Sequence, residues 1–264
     1  MIKAGKYTLN TNRTLIMGIL NITPDSFSDG GRYGSVDSAV SAAYDMKEQG
    51  ADIIDIGGQS TRPGADTVPL DEERNRVMPV LEALCGGVGI PVSIDTFYAD
   101  IASEALKMGT GIINTVRGLE DGEMFRLAAK YGAGIVIMHN TAGSTGGVRV
   151  WLENMIKSAE NSGVDSQSVI TDIGIGFGKT FKEDLALLRE LKNVIIPPYP
   201  MLVGASRKRV IGGACGNPPP QERDFGTAAA HTAAIMNGAK ILRVHNVAAA
   251  VQAARVAESI NIVD

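Results

Sequence analysis

The side chains able to do chemistry in this chain stand in short polar or glycine-rich stretches, at 21–31, 57–64, 95–96, 114, 139–140, 172–179, 206–209 and 243–246. They include the carboxylates Asp29, Asp95 and Asp172, the amides Asn21 and Asn114, and the cations Arg62, Lys208 and Arg243. A guanidinium presents a planar fork of donors that fits phosphate oxygens. His245 follows Arg243 by two places, and residues two apart at a strand end share a face, so the two read as partners toward an anion. Gly174, Gly176 and Gly178 precede Lys179 and Thr180 and suggest a phosphate loop. A Walker pattern, however, needs glycine five places before Gly178, where Ile173 stands, and the dinucleotide spacing is missed as well. No Ser–His or Cys–His device for nucleophilic catalysis is visible. With 25 Lys+Arg against 29 Asp+Glu the net charge is −4, which leaves no global field to hold a nucleic acid backbone or an anionic membrane. An anionic substrate must be met by locally placed cations.

These stretches matter only if the fold brings them together. Eight short apolar runs, at 15–20, 52–56, 91–94, 111–116, 134–138, 168–173, 201–204 and 239–244, alternate with longer helical patterns. Strands buried on both faces are expected to be continuously apolar. The first helical pattern places Val36, Ala39, Val40, Ala43 and Met46 on one face, with Ser35 as a cap and Gly50 as a stop. Further patterns cover 70–84, 99–108, 123–131, 150–162, 181–191, 227–237 and 247–260. Eight strands each followed by a helix give an α/β chain of the (β/α)8 TIM barrel type, in one domain over residues 1–264, and the polar stretches then fall at the carboxyl ends of the strands, where such barrels keep their chemistry. The two cysteines, Cys85 and Cys215, are too few for a disulfide framework. With no leader-like or membrane-spanning apolar stretch, a cytoplasmic protein is expected.

The stretch from Met17 to Gly31, which includes Asn21, Phe27 and Asp29, and the stretch Gly57-Gly58-Gln59-Ser60-Thr61-Arg62-Pro63-Gly64 resemble the two signature loops of the dihydropteroate synthase family. The resemblance continues through Ser93-Ile94-Asp95-Thr96, Ile112-Ile113-Asn114, Asp172 with the glycines up to Lys179, Ser206-Arg207-Lys208 and Arg243-Val244-His245. Seven such segments in the family's order span nearly the whole chain.

The resemblance implies an enzyme of folate synthesis that joins a dihydropterin methyl diphosphate to p-aminobenzoate with the help of magnesium, Mg2+. It puts Asp172 on the pterin's edge of N–H donors, Asn114 on the neighbouring amino and ring nitrogens, Lys208 on the carbonyl oxygen and a ring nitrogen, and Asp95 on the far nitrogen of the reduced ring. Arg62, Arg243 and His245 would hold the diphosphate, and Asn21 would be a side-chain ligand of magnesium. Phe27, Thr61, Pro63, Phe177 and the stem of Lys208 would surround the aminobenzoate ring, with its carboxylate toward a helical turn beginning around Ser206. Asp95, Lys208, Arg62 and Asp29 carry the catalytic roles, Asp29 by helping the first loop to close. Small-molecule substrates and a homodimer are the partners implied, and sulfonamides, which resemble p-aminobenzoate, are expected to compete for its pocket.

Plainer roles are expected elsewhere. His231 reads as a packing residue in an Ala-rich helix, Arg207 and Arg209 as rim or solvated charges, and His139 equally as a structural or a ligand-contacting residue. The chain departs from the family pattern at Gln59, Thr115, Ile173, Asn140-Thr141 and Asn246, each near the site. Two other functions share the pocket: a pterin-binding methyltransferase domain, and a pterin-binding paralogue that has lost catalysis.

Overall fold

The computed structural model describes residues 1–22, 31–59 and 66–262. Its first elements are two three-residue strands, β1 (Ile2–Ala4) and β2 (Tyr7–Leu9), paired antiparallel. The eight expected strands follow as β3 (Leu15–Asn21), β4 (Ile53–Gly57), β5 (Val92–Asp95), β6 (Ile112–Thr115), β7 (Gly134–Met138), β8 (Val169–Asp172), β9 (Met201–Val203) and β10 (Ile241–Val244). They are parallel and close into a barrel in chain order, with β10 against β3. The helices between them are α1 (Gly31–Glu48), α2 (Leu70–Cys85), α3 (Ala99–Met108), α4 (Glu123–Tyr131), α5 (Thr145–Asn161), α6 (Phe181–Arg189), α7 (Arg209–Ala214), α8 (Asp224–Met236) and α9 (Val247–Ile262).

Alternate residues of each strand face the barrel axis. The lower part of the interior is an apolar layer of Leu15, Met17, Ile53, Ile112, Val136, Ile170, Leu202 and Ile241, closed from below by Ile2 and Ala4 of the hairpin. Each fully buried Leu or Ile of this kind contributes roughly 1.5–3 kcal/mol relative to exposure. The hairpin sits tightly: a Cβ on Gly111 would come within 2.7 Å of the Ala4 carbonyl oxygen. The outward faces of the strands pack on the helices in a second, larger core.

Several local expectations need correction. Helix α1 begins at Gly31, so Ser35 lies inside it rather than capping it. Helix α5 begins at Thr145, five residues before the periodic pattern, because Ser144 caps it by accepting from the Gly147 N–H at 3.3 Å. One helix per strand also fails after β9, where both α7 and α8 follow. Among the described residues, no helix is long and apolar enough to cross a membrane.

Candidate active site

Two residues above the apolar layer, the inward positions turn polar. On the same face Ile53 is followed by Asp55, Ile112 by Asn114, Ile170 by Asp172 and Ile241 by Arg243, and on β5 Asp95 stands two places above the buried Ser93. Strand register sets Asn21 beside Gly57, Gly57 beside Asp95 and Asp95 beside Asn114, so four neighbouring strands end on one level. Arg243 lies at the centre. Its Nε donates to Asp55 Oδ2 and its Nη2 to Asp95 Oδ2, both at 2.6 Å. Asn114 Nδ2 donates to the same Asp55 oxygen at 3.0 Å. Burial opposes the charge on Arg243, but Asp55 and Asp95 more than offset this and its pKa is raised. Burial pushes the Asp95 carboxyl up to about 7, against the attraction of Arg243 and with Asp55 and Glu73 adding to the rise.

The opposite side of the mouth is built by the segment after β8. Asp172, buried and raised in pKa mainly by that burial, accepts from the Gly174 N–H at 2.7 Å. Gly174 has φ +64°, and a Cβ there would fall 1.9 Å from the His139 carbonyl oxygen. Lys179 Nζ ties the segment down by donating to the carbonyls of His139, Gly174 and Phe177 at 3.0–3.1 Å, and Asp184 accepts from the Gly176 N–H. The glycines and lysine that suggest a phosphate loop thus form a self-bonded turn. Lys208 reaches this turn from beyond β9: its Nζ donates to the Ile175 carbonyl at 2.6 Å and lies 4.5 Å from the centre of the half-buried Phe177 ring. Desolvation pushes the Lys208 ammonium down to about 8, against the pull of Asp172.

Beyond β9 the structure differs from expectation. The helix starts at Arg209 rather than around Ser206, and the Arg207 and Lys208 N–H groups already donate to Thr227 Oγ1 and the Ala205 carbonyl. Ser206 turns its hydroxyl to His245, pairing with Nδ1 at 2.9 Å and accepting from the backbone N–H at 3.2 Å. Arg207, at φ +57°, is no solvated charge: it makes a two-pronged pair with Asp224 at 2.7 and 2.8 Å, which holds the turn that presents Lys208. Arg209 is exposed.

Asn21 stands at the rim, its Oδ1 3.8 Å from where a Gly57 Cβ would be, with the Asp95 Cβ 3.6 Å away on the other side. The missing side chain at Gly57 leaves room between them. Phe27, Asp29, Thr61, Arg62 and Pro63 lie outside the described residues. His231 is wholly buried and its Nε2 accepts from the Ala205 N–H, a packing role. His139 packs edge-on against Trp151 with ring centroids 5.2 Å apart. The departures from the family pattern have local work: Thr115 bonds to Arg117, Asn140 to the Val116 carbonyl, Asn246 to Asp224 and the Ala249 N–H, and Ile173 is core. Gln59 donates to the buried Glu73 of α2. Asp55, absent from the sequence reading, was visible as a lone acid within Ile53-Ile54-Asp55-Ile56. An acid there cannot stay unpaired in a buried strand.

A parallel barrel whose mouth pairs buried carboxylates and an amide with amines and guanidinium is suited to gripping a flat heterocycle of mixed donors and acceptors. The chain belongs to the pterin binding enzyme family, which it matches over residues 17–245. Relatives within that family include dihydropteroate synthases. That of Bacillus subtilis (strain 168) is 45% identical over 241 residues, 89% of this chain and 84% of the relative. The dihydropteroate synthase of Xanthomonas albilineans, solved with 4-aminobenzoic acid, superposes with a TM-score of 0.91 at 40% identity, covering 97% of this chain and 96% of that one. The Burkholderia cenocepacia enzyme, complexed with 7,8-dihydropteroate, gives 0.89 at 35% identity over 98% and 96%.

Proposed function

We propose that this protein acts as a dihydropteroate synthase, condensing a hydroxymethyl-dihydropterin diphosphate with p-aminobenzoate to give dihydropteroate and pyrophosphate in folate synthesis. The observation that carries this is the convergence of Asp95, Asn114, Asp172 and Arg243 from four strands, and of Lys208 from the segment after β9, on one mouth. Asp172 accepts two parallel N–H donors of the pterin edge, a geometry for which a carboxylate has two oxygens. Asn114 meets the amino group and ring nitrogen beside it, and Lys208 donates to the carbonyl oxygen and the next nitrogen. Asp95 faces the reduced ring.

As the methylene C–O bond breaks, pyrophosphate leaves with the electron pair and positive charge spreads from the methylene carbon into the ring. The ionised Asp95 stabilises that charge, which is electrostatic catalysis by a group fixed in advance. The aryl amine then forms the new N–C bond and gives up a proton to the departed pyrophosphate or to water. Arg62 and His245 take the larger share of the leaving diphosphate, since Arg243 is held below by two carboxylates. Asn21 and the space at Gly57 suit magnesium, which prefers oxygen ligands and binds through few protein groups together with phosphates and waters. When bound it would supply charge neutralisation for the departing diphosphate. Phe177 and the Lys208 stem form one wall for the aminobenzoate ring, with Phe27, Thr61 and Pro63 supplying the other and Ser206 keeping His245 in place at its edge. Asp29 acts from the first loop. Sulfonamides compete for this pocket.

A homodimer is supported by Phe225, 92% exposed on α8, with Met236, Val256 and Ile260 exposed on α8 and the adjoining α9. A cytoplasmic location is consistent with two unpaired cysteines. The test mixes purified protein with the pterin diphosphate, p-aminobenzoate and magnesium and follows pyrophosphate release, then repeats it with a chelator. Release that stops on chelation is expected. Pterin binding without release would point to a catalytically inert paralogue.

A further inference from the structure

Asp55 is fully buried one strand away from Asp95, and its Oδ2 accepts from both Asn114 and Arg243. The Asn114 atom facing Asp55 is the NH2, which donates to Oδ2, and the amide oxygen is turned away. Ser93 lies on β5 between the two strands, and its small side chain lets Asp55 on β4 reach Asn114 on β6. Oδ1 of Asp55 and Oγ of Ser93 are buried without a hydrogen-bond partner in the structure. The cluster therefore rests on the one shared oxygen.

We propose that Asp55 is a positioning and specificity-determining residue for the pterin site. Its shared oxygen fixes the Asn114 carboxamide with oxygen toward the mouth and holds the Arg243 guanidinium against Asp95. This rests on the function proposed above. A ring edge bearing an exocyclic amino group can donate to that fixed oxygen. A pteridine with an oxo group in the same place sets oxygen against oxygen and is rejected. In Asp55→Asn, whose new side chain can both donate and accept, the Asn114 amide can turn over and meet either edge, so discrimination falls even where the pocket keeps its shape.

The experiment uses the whole protein carrying Asp55→Asn or Asp55→Ser, with calorimetry against hydroxymethylpterin and its oxo analogue, thermal melting, and steady-state kinetics. For Asp55→Asn the expected result is an affinity ratio between the two ligands that drops about tenfold, the order of one misplaced buried hydrogen bond. In the same variant kcat falls while KM for p-aminobenzoate is unchanged. A ratio equal to that of the unaltered protein overturns the proposal, whatever the melting temperature does, and so does failure of both variants to fold. An unaltered protein that binds no pterin instead removes the function reading, and this proposal with it.

Discussion

Proton concentration is the least invasive perturbation of this site, and the two groups that matter titrate close together. Burial raises Asp95 to about 7, with Asp55 and Glu73 adding to the rise and Arg243 and Lys208 opposing it. Burial lowers Lys208 to about 8, with Asp172 opposing. The chemistry proposed above needs Asp95 ionised and Lys208 protonated. Activity is therefore lost on the acid side as pH falls through the raised carboxyl value, and on the alkaline side as pH rises through the lowered ammonium value. With both conditions applied together, activity peaks between the two values and falls toward both pH ~6 and pH ~9. The assay is kcat/KM for pyrophosphate release with the pterin diphosphate limiting, at constant ionic strength, because that ratio reports the free enzyme. A profile that stays level from about 6 to about 9 would refute the assignment of these two groups.

Three substitutions extend the test. Asp172→Ala should cost pterin binding at least about fivefold, since it leaves buried donors of the ligand unpaired at about 1–3 kcal/mol; calorimetry showing unaltered affinity counts against Asp172 as the edge acceptor. Gly174→Ala should lower stability by more than about 2 kcal/mol in urea unfolding, because φ is +64° and the new Cβ would lie 1.9 Å from the His139 oxygen. Arg62→Ala should spare binding of a pterin without its diphosphate yet weaken aminobenzoate capture, and equal loss of both ligands would contradict a diphosphate-dependent order.

The barrel was legible because each central strand is a compact apolar run such as Gly134–Met138, bounded by glycine or a polar residue. What escaped notice was short or local. The hairpin strands have three residues each, too few to show a period, and α7 has six. Gly146 and Gly147 disguised the first turn of α5, whose start is set by a serine cap rather than by apolar spacing. Within the site, Asp95, Asn114 and Asp172 stood out because they lie at or next to a strand end. Asp55 lies in mid-strand, and the expectation of uniformly apolar strands hid it. The interior in fact alternates: apolar below, polar two residues higher, on the same face. Arg207 was misjudged because its partner Asp224 is 17 residues on, beyond the reach of any local pattern.

The hairpin beneath the barrel has a kinetic consequence. The apolar layer from Leu15 to Ile241 fills the lower barrel and Ile2 and Ala4 cover it from below, so whatever binds must enter and leave by the upper mouth. Under the function proposed above, the pterin would be seated deepest and would bind ahead of its co-substrate, and the product would withdraw with its bicyclic end trailing. The order would then be a queue set by the filled floor of the barrel rather than by any group that touches a ligand.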